Sequence, residues 1–222
     1  MAEPWEVLFG RALAQLRQGG VAENDWMFGG GTVLKLKLNH RDSKDIDIFF
    51  NDPQLLGYIS PRVNDAVAAS LLDFDEHAQH IRLQFREGEI DFIVARQISK
   101  MHPEPAAVLG AVVNVEHPVE IVAKKIYHRA DAFMPRDVFD LAVVFGTYRN
   151  DILRNAEAFA KELPILAKQI DAIERSNELE KWLRDHTILS GGQEIRGKEV
   201  RLCKEFIRAV EETLNLAFVA QV

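Results

Sequence analysis

The chain has 222 residues, 47% of them hydrophobic, and a formal net charge of −7. It is long enough for one large domain or two small ones and apolar enough for a real core, while the acidic balance excludes a generally basic nucleic-acid coat. A single cysteine, Cys203, excludes an internal disulfide and fits a reducing cytoplasm.

The chain opens on a helical pattern. Trp5, Leu8, Phe9, Ala12, Leu13 and Leu16 fall at helical spacing, and Gln18-Gly19-Gly20 ends the run. This start lacks a basic segment followed by a long apolar one, so it reads as a helix and not as a secretory leader. "DWMFGGG" is a short apolar strand entering a glycine turn. "TVLKLKL" follows as a short helix, with Thr32 as its expected N-cap. "KDIDIFF" alternates and reads as a strand, and "HIRLQFREGEIDFIVAR" reads as a hairpin turning at Gly88. "VLGAVVNVEHP" holds one last strand.

Two helices opened by proline come next, "PVEIVAKKIYHRA" and "PRDVFDLAVVFGTY". Residues 151–185 and 196–218 are helical, separated by a loop over 189–197. Cys203 lies in "VRLCKEFIRAV" and reads as a buried helix residue rather than a nucleophile. No apolar stretch approaches the roughly 20 residues of a membrane span, so no membrane partner is expected. The layout is α+β. A mixed α/β part over residues 1–110 precedes a helical part over 111–222.

The chemistry concentrates between Gly30 and Asp91. Asp45 and Asp47 are two apart on a strand, so their side chains leave the same face. A divalent cation relieves the repulsion between them, and Mg²⁺ favours such oxygen ligands together with phosphate. If the second arm of the hairpin pairs beside this strand, Asp91 joins them as a third carboxylate, the set a two-metal site uses. Gly30 and Gly31, ahead of a helix, allow backbone N–H groups to approach an anion, and the Thr32 hydroxyl is placed to join them. The pattern is not a P-loop, because no Gly-Lys-Ser/Thr follows the glycines. His77 and His80 are three apart but lack an acidic helix partner, and they read as ordinary. His40 has either a turn-stabilising or a ligand-touching role.

Together these features resemble the polymerase-β-like nucleotidyltransferase superfamily, where a glycine and a small hydroxylated residue precede a D-x-D strand at this distance. More closely, "GGTVLKLKLNHRDSKDIDIFF" resembles the AbiEii/AbiGii toxin family of nucleotidyltransferases. Gly30, Gly31, Thr32, His40, Arg41, Ser43, Asp45, Asp47 and Phe49 match its first block. "EIVAKKIYHRADAFMPRDVFDLAVV" resembles the family's downstream helix pair. There Lys125 matches the functional lysine, with Lys124 as the fallback. Arg129 lies one turn beyond, and Asp137 and Asp140 match the two carboxylates of the second helix.

The resemblance implies a polymerase-β-like core with a small mixed sheet, followed by a helical bundle. It implies a metal-dependent transfer of a nucleoside monophosphate from an NTP, with Mg²⁺ or Mn²⁺ as cofactor. The acceptor it implies is an RNA, such as the 3′ end of tRNA, or a protein hydroxyl, in the toxin half of a toxin–antitoxin pair with a separate antitoxin protein. Asp45, Asp47 and Asp91 would hold metal, Asp91 would also help deprotonate the acceptor hydroxyl, and Lys125 and Asp137 would join them as catalytic residues. Gly30, Gly31, Thr32, Arg41 and Ser43 would contact the nucleotide, and Lys125 and Arg129 would neutralise the triphosphate. An RNA acceptor calls for a local basic stripe, for which Lys35, Lys37, Arg41 and Lys44, or the "KKIYHR" run, are the candidates. The alternative from a different class is a nucleotide-binding or helical interaction module without transfer activity. The sequence leaves the oligomeric state open.

Overall fold

The computed structural model describes residues 2–219. The chain divides into two compact units. The first comprises residues up to 36, 43–97 and 102–117; the second comprises 37–42, 98–101 and the chain from 118 onward.

The first unit is built on a seven-stranded mixed sheet. Helix α1 (Pro4–Gln18) starts as its sequence demands, with proline in the first turn and the Glu3 N–H donated to the Glu6 carboxylate at 2.7 Å. It buries Trp5, Leu8, Phe9, Ala12 and Leu16 as their spacing predicts. It buries Gln15 as well, whose amide N–H donates to the Ile59 carbonyl at 2.8 Å while its Oε1 is buried without a partner.

The strands are β1 (Trp26–Gly29), β2 (Ile46–Phe50), β3 (Asp73–His77), β4 (His80–Gln84), β5 (Glu89–Val94), β6 (Glu104–Val108) and β7 (Ala111–Val115). Helix α2 (Gly30–Leu38) follows β1, and the short α3 (Leu55–Ile59) follows β2. Across the sheet the order is β3-β4-β5-β2-β1-β7-β6. β2 is antiparallel to β1 and parallel to β5, and β1 is parallel to β7. Ile46, Ile48, Phe50, Ile81, Leu83, Ile90 and Phe92 are all fully buried, so the sheet puts one face into the core. Burying each such side chain contributes about 1.5–3 kcal/mol before conformational entropy is counted.

The hairpin expected around Gly88 is β4–β5, in antiparallel register. Two strands escaped the sequence reading. β3 is too acidic to look like a strand, and β6 contains Pro105; each is an edge strand, where charge and proline are tolerated. Thr32 is also not an N-cap: α2 already begins at Gly30, which places Thr32 as its third residue.

The second unit is helical: α4 (Pro118–Arg129), α5 (Pro135–Arg154), α6 (Leu163–Arg175), α7 (Glu178–Asp185) and α8 (Glu199–Val219). Phe145 and Phe159 each meet Phe206 edge to face, with ring centroids 5.7 and 5.1 Å apart. Cys203 is fully buried, its S–H donates to the Val138 carbonyl at 3.3 Å, and burial pushes the thiol far up, so it packs as a small apolar residue. Residues 98–101 are tied to α4 by Glu120, whose carboxylate accepts the backbone N–H groups of Ile98 and Ser99 at 2.9 and 2.7 Å. Among the described residues no helix is long and apolar enough to cross a membrane.

Candidate active site

Strand register lines up the first set of functional groups. Gly29 pairs with Asp47, Asp47 with Asp91, and Asp91 with Arg82, in one row across β1, β2, β5 and β4. Partners in register share a sheet face, and the buried Ile46, Ile48, Ile90 and Phe92 take the other one. The row is therefore a polar stretch of the opposite face, which also carries the apolar row Met27, Phe49 and Ile93, and Asp47, Asp91 and Arg82 are all half-buried along it.

The glycines are required by what surrounds them. Gly30 has φ +72, and a Cβ there would run into the Asp47 carboxylate. A Cβ on Gly29 would strike the Glu116 carboxylate. The turn is thus flanked by carboxylates, at the N-terminus of α2, where the first N–H groups have no helical acceptor. Those N–H groups could meet an anion, and a cation held by the flanking carboxylates would offset their charge.

Thr32 is fully buried and donates its hydroxyl to the Asp45 carbonyl at 2.6 Å, 3.2 Å from the Ser43 hydroxyl. Its hydroxyl fixes the segment leading into the acidic strand, where the sequence reading had it reaching a phosphate. Asp45 accepts the Glu89 backbone N–H at 3.0 Å, and Gly88 lies close enough that a Cβ there would sit 2.6 Å from the same oxygen. The hairpin turn therefore fixes one Asp45 oxygen.

Asp91 stands opposite Asp47 as expected, but its carboxylate is engaged on the other side. It takes His80 Nε2 at 2.6 Å and the Arg82 guanidinium at 2.8 and 3.3 Å. Burial is the largest single influence on Asp91 and favours its neutral form; the hydrogen bonds from His80 and Arg82 together outweigh it and hold the carboxyl below its usual range. The hydrogen bond to Asp91 in turn raises Arg82. Among the described residues no three or more His, Cys, Asp or Glu side chains converge as a metal site, so the expected three-carboxylate centre is not assembled. Asp45, just before β2, and Asp47, within it, supply hard oxygen donors of the kind Mg²⁺ favours.

The second set of groups lies in the helical unit around Asp140, which is fully buried. Its carboxylate accepts four hydrogen bonds: His40 Nε2 at 2.8 Å, Arg41 Nε and Nη2 at 2.6 and 2.9 Å, and Lys125 Nζ at 2.7 Å. Lys125 also reaches Asp137 at 2.8 Å, where Arg129 Nη2 arrives at 2.6 Å. Asp137 completes its set by accepting the Met134 backbone N–H at 3.1 Å, capping α5. Burial weighs most on both carboxyls and opposes their charge. For Asp140 the charges of Arg41 and Lys125, with hydrogen bonds from His40 and Arg41, overcome it and hold the group well below its usual range. For Asp137 the charges of Lys125 and Arg129 do the same.

This network revises several sequence expectations. His40 is fully buried, stacked on Phe139 at 6.0 Å, with its Nδ1 enclosed and lacking a hydrogen-bond partner, so its role is structural. Arg41 is buried against Asp140, Lys35 pairs with Glu3 at 2.9 Å, and Lys124 is buried 4.0 Å from Glu120. Of the first candidate basic stripe, Lys35 and Arg41 are thus engaged while Lys37 and Lys44 are exposed; of the second, Lys124 is buried. Only 11% of the Lys125 side chain is exposed, against 32% of Arg129. The glycines of the 189–197 loop have a packing role too: a Cβ on Gly191 or Gly192 would collide with the carbonyls of Leu38 or His40.

The sequence reading missed His80, Arg82 and Glu116. The first two alternate with the buried Ile81 and Leu83, a signal that marks them as the polar face of β4. Glu116 has no such signal, because it follows the last strand.

A family model described as the nucleotidyl transferase AbiEii toxin of a type IV toxin–antitoxin system matches residues 11–190. No curated protein matches the chain. Among solved structures, a candidate nucleotidyltransferase from Helicobacter pylori aligns over 98% of this chain and 99% of its own, at 16% identity and a TM-score of 0.51. JHP933 from Helicobacter pylori aligns over 100% of both chains at 16% identity and a TM-score of 0.48. MenT4, a nucleotidyltransferase toxin from Mycobacterium tuberculosis, aligns over 94% of each chain at 16% identity and a TM-score of 0.40.

Proposed function

Since the chain belongs to the AbiEii nucleotidyltransferase toxin family and is a nucleotidyltransferase, we propose that it moves a nucleoside monophosphate from an NTP to a hydroxyl of RNA, such as the 3′ end of tRNA. The observation that carries this reading is the joint geometry of the glycine turn and the acidic strand. Gly30 exists in its left-handed conformation only because no side chain stands between it and Asp47.

In this mechanism Asp45 and Asp47 would hold Mg²⁺ or Mn²⁺. When bound, the cation neutralises charge on the triphosphate and makes the α-phosphorus more electrophilic. Gly30 and Gly31 offer backbone N–H groups to the phosphates. Thr32 and Ser43 keep Asp45 in place. Family membership also supports Lys125 and Arg129 as the cations that counter the leaving pyrophosphate, with Asp137 and Asp140 holding their side chains. Positioning and electrostatics supply most of the acceleration in such transfers. A separate antitoxin protein is the partner that a toxin of this family implies.

A protein hydroxyl is the second acceptor class. The internal pairing of Lys35, Arg41 and Lys124 favours it, since these cations do not form an open groove for RNA.

The test is a thermal shift with each of the four NTPs, with and without Mg²⁺, beside an Asp45→Ala/Asp47→Ala variant. One NTP near a hundred times its Kd should stabilise the wild type by about 2.7 kcal/mol, in a metal-dependent way that the double variant loses. A wild type that answers to no NTP would sink the proposal.

A further inference from the structure

We propose that the exposed end of α8 docks into a cleft beside α1 of a second copy of this chain, and that the exchange is mutual, giving a two-fold dimer. This goes beyond the transfer reaction and does not depend on it.

The cleft belongs to the first unit. It lies between the last turns of α1 and strand β7, is open to solvent and encloses about 320 Å³. Leu13, Leu16, Trp26 and Val112 give it apolar walls, and Arg17 and Glu23 add one cation and one anion. Leu16 and Trp26 are buried, whereas Val112 is 62% exposed, so core side chains form the floor and bare apolar surface forms the lip. An apolar hollow with a few placed charges suits apolar side chains that carry matching charges beside them. Among the described residues the side chains of Arg17 and Glu23 form no ion pair within the chain.

The end of α8, in the second unit, has the complementary character. The helix buries Cys203, Phe206 and Val210, and none of its residues beyond Val210 is buried. Leu216 and Val219 are each 72% exposed. Arg208, Glu212, Leu216 and Val219 follow at helical spacing, which sets them along one side of the helix. Arg208 and Glu212 are exposed and, among the described residues, likewise form no ion pair within the chain.

Charge selects the occupant. The helix side presents two apolar side chains, then an anion, then a cation. The cleft presents apolar walls, a cation on α1 and an anion just before β1. With Leu216 and Val219 of one copy in the cleft of the other, Glu212 meets Arg17 and Arg208 meets Glu23. The reverse pairing would set like charges together, so the charges fix the register as well as the partner. Each chain carries both halves of the contact. Two copies can therefore satisfy both at once, which closes the pair about a two-fold axis.

Sedimentation equilibrium of the full-length protein tests this. The wild type should be dimeric at about 0.1 mM, the range in which a small interface associates. Arg17→Glu and Glu212→Arg should each weaken the dimer by about tenfold or more. Leu216→Ser should weaken it without changing any charge. All three positions are exposed, so circular dichroism should show each variant folded. An equimolar mixture of Arg17→Glu with Glu212→Arg should regain the dimer. In that mixture the reversed cleft of one variant receives the reversed helix of the other, and the two unreversed features meet in the second contact. A wild type that stays monomeric, a dimer indifferent to either reversal, or a mixture that fails to associate overturns the proposal. None of these outcomes touches the nucleotide site, whose own test is the metal-dependent NTP shift.

Discussion

Asp140 shows what one residue costs and returns. Burying a carboxylate is unfavourable by several kcal/mol, and here four hydrogen bonds from Arg41, Lys125 and His40 offset it. Asp140→Asn keeps the volume but leaves buried cations without their counter-charge. It should lower the unfolding free energy by about 3 kcal/mol or more, read from urea midpoints. The contrast is Glu180, whose ion pair with Arg184 spans 3.9 Å on an exposed helix face. Glu180→Gln should leave the midpoint unchanged. Leu109 makes the opposite point. It holds φ +48 beside Gly110 at φ +82, at the exposed tip between β6 and β7, where a branched side chain is strained. Leu109→Asn suits that turn and should raise stability by about 1 kcal/mol in the same assay.

Among the elements, the glycine turn and α2 form the most tightly specified stretch. Gly30→Ala forces a methyl group into the Asp47 carboxylate and a side chain into left-handed backbone. It should destabilise the fold by about 1–3 kcal/mol and abolish the metal-dependent NTP shift, whereas Gly10→Ala, with open space around it, should do neither. This stretch was legible in the sequence because its constraints are local: glycines, a D-x-D alternation and a short spacing. The hairpin at Gly88 and the proline-led α4 and α5 were legible for the same reason. β3 and β6 were not, since "DFDEH" and "EPAAV" become strands only by pairing with β4 and β7. At the site, the D-x-D strand announced Asp45 and Asp47. The engagement of Asp91 by His80 and of Asp140 by His40 depends on partners 11 and 100 residues away, which spacing does not reveal.

For the molecule as a whole, inward pairing of cations has a pH consequence. Asp137 and Asp140 bind protons more weakly in the folded chain than in the unfolded one. Their stabilisation is therefore complete above the ordinary aspartate value of about 3.9 and is lost as pH falls from there through the depressed native values. The melting temperature should be insensitive to these groups between pH 5 and 7 and drop steeply below pH 4, with a shallower drop in Asp140→Asn. The same buried network bears on how such a chain can change over generations. His40, Arg41, Lys125, Arg129, Asp137 and Asp140 arise from three separated segments, yet a charge lost from one strands charge on the others. Drift at these six positions is therefore coupled. A lineage can replace the set by an apolar cluster of similar volume in several concerted steps, but single steps pass through a weakened intermediate, and the set is inherited as a block.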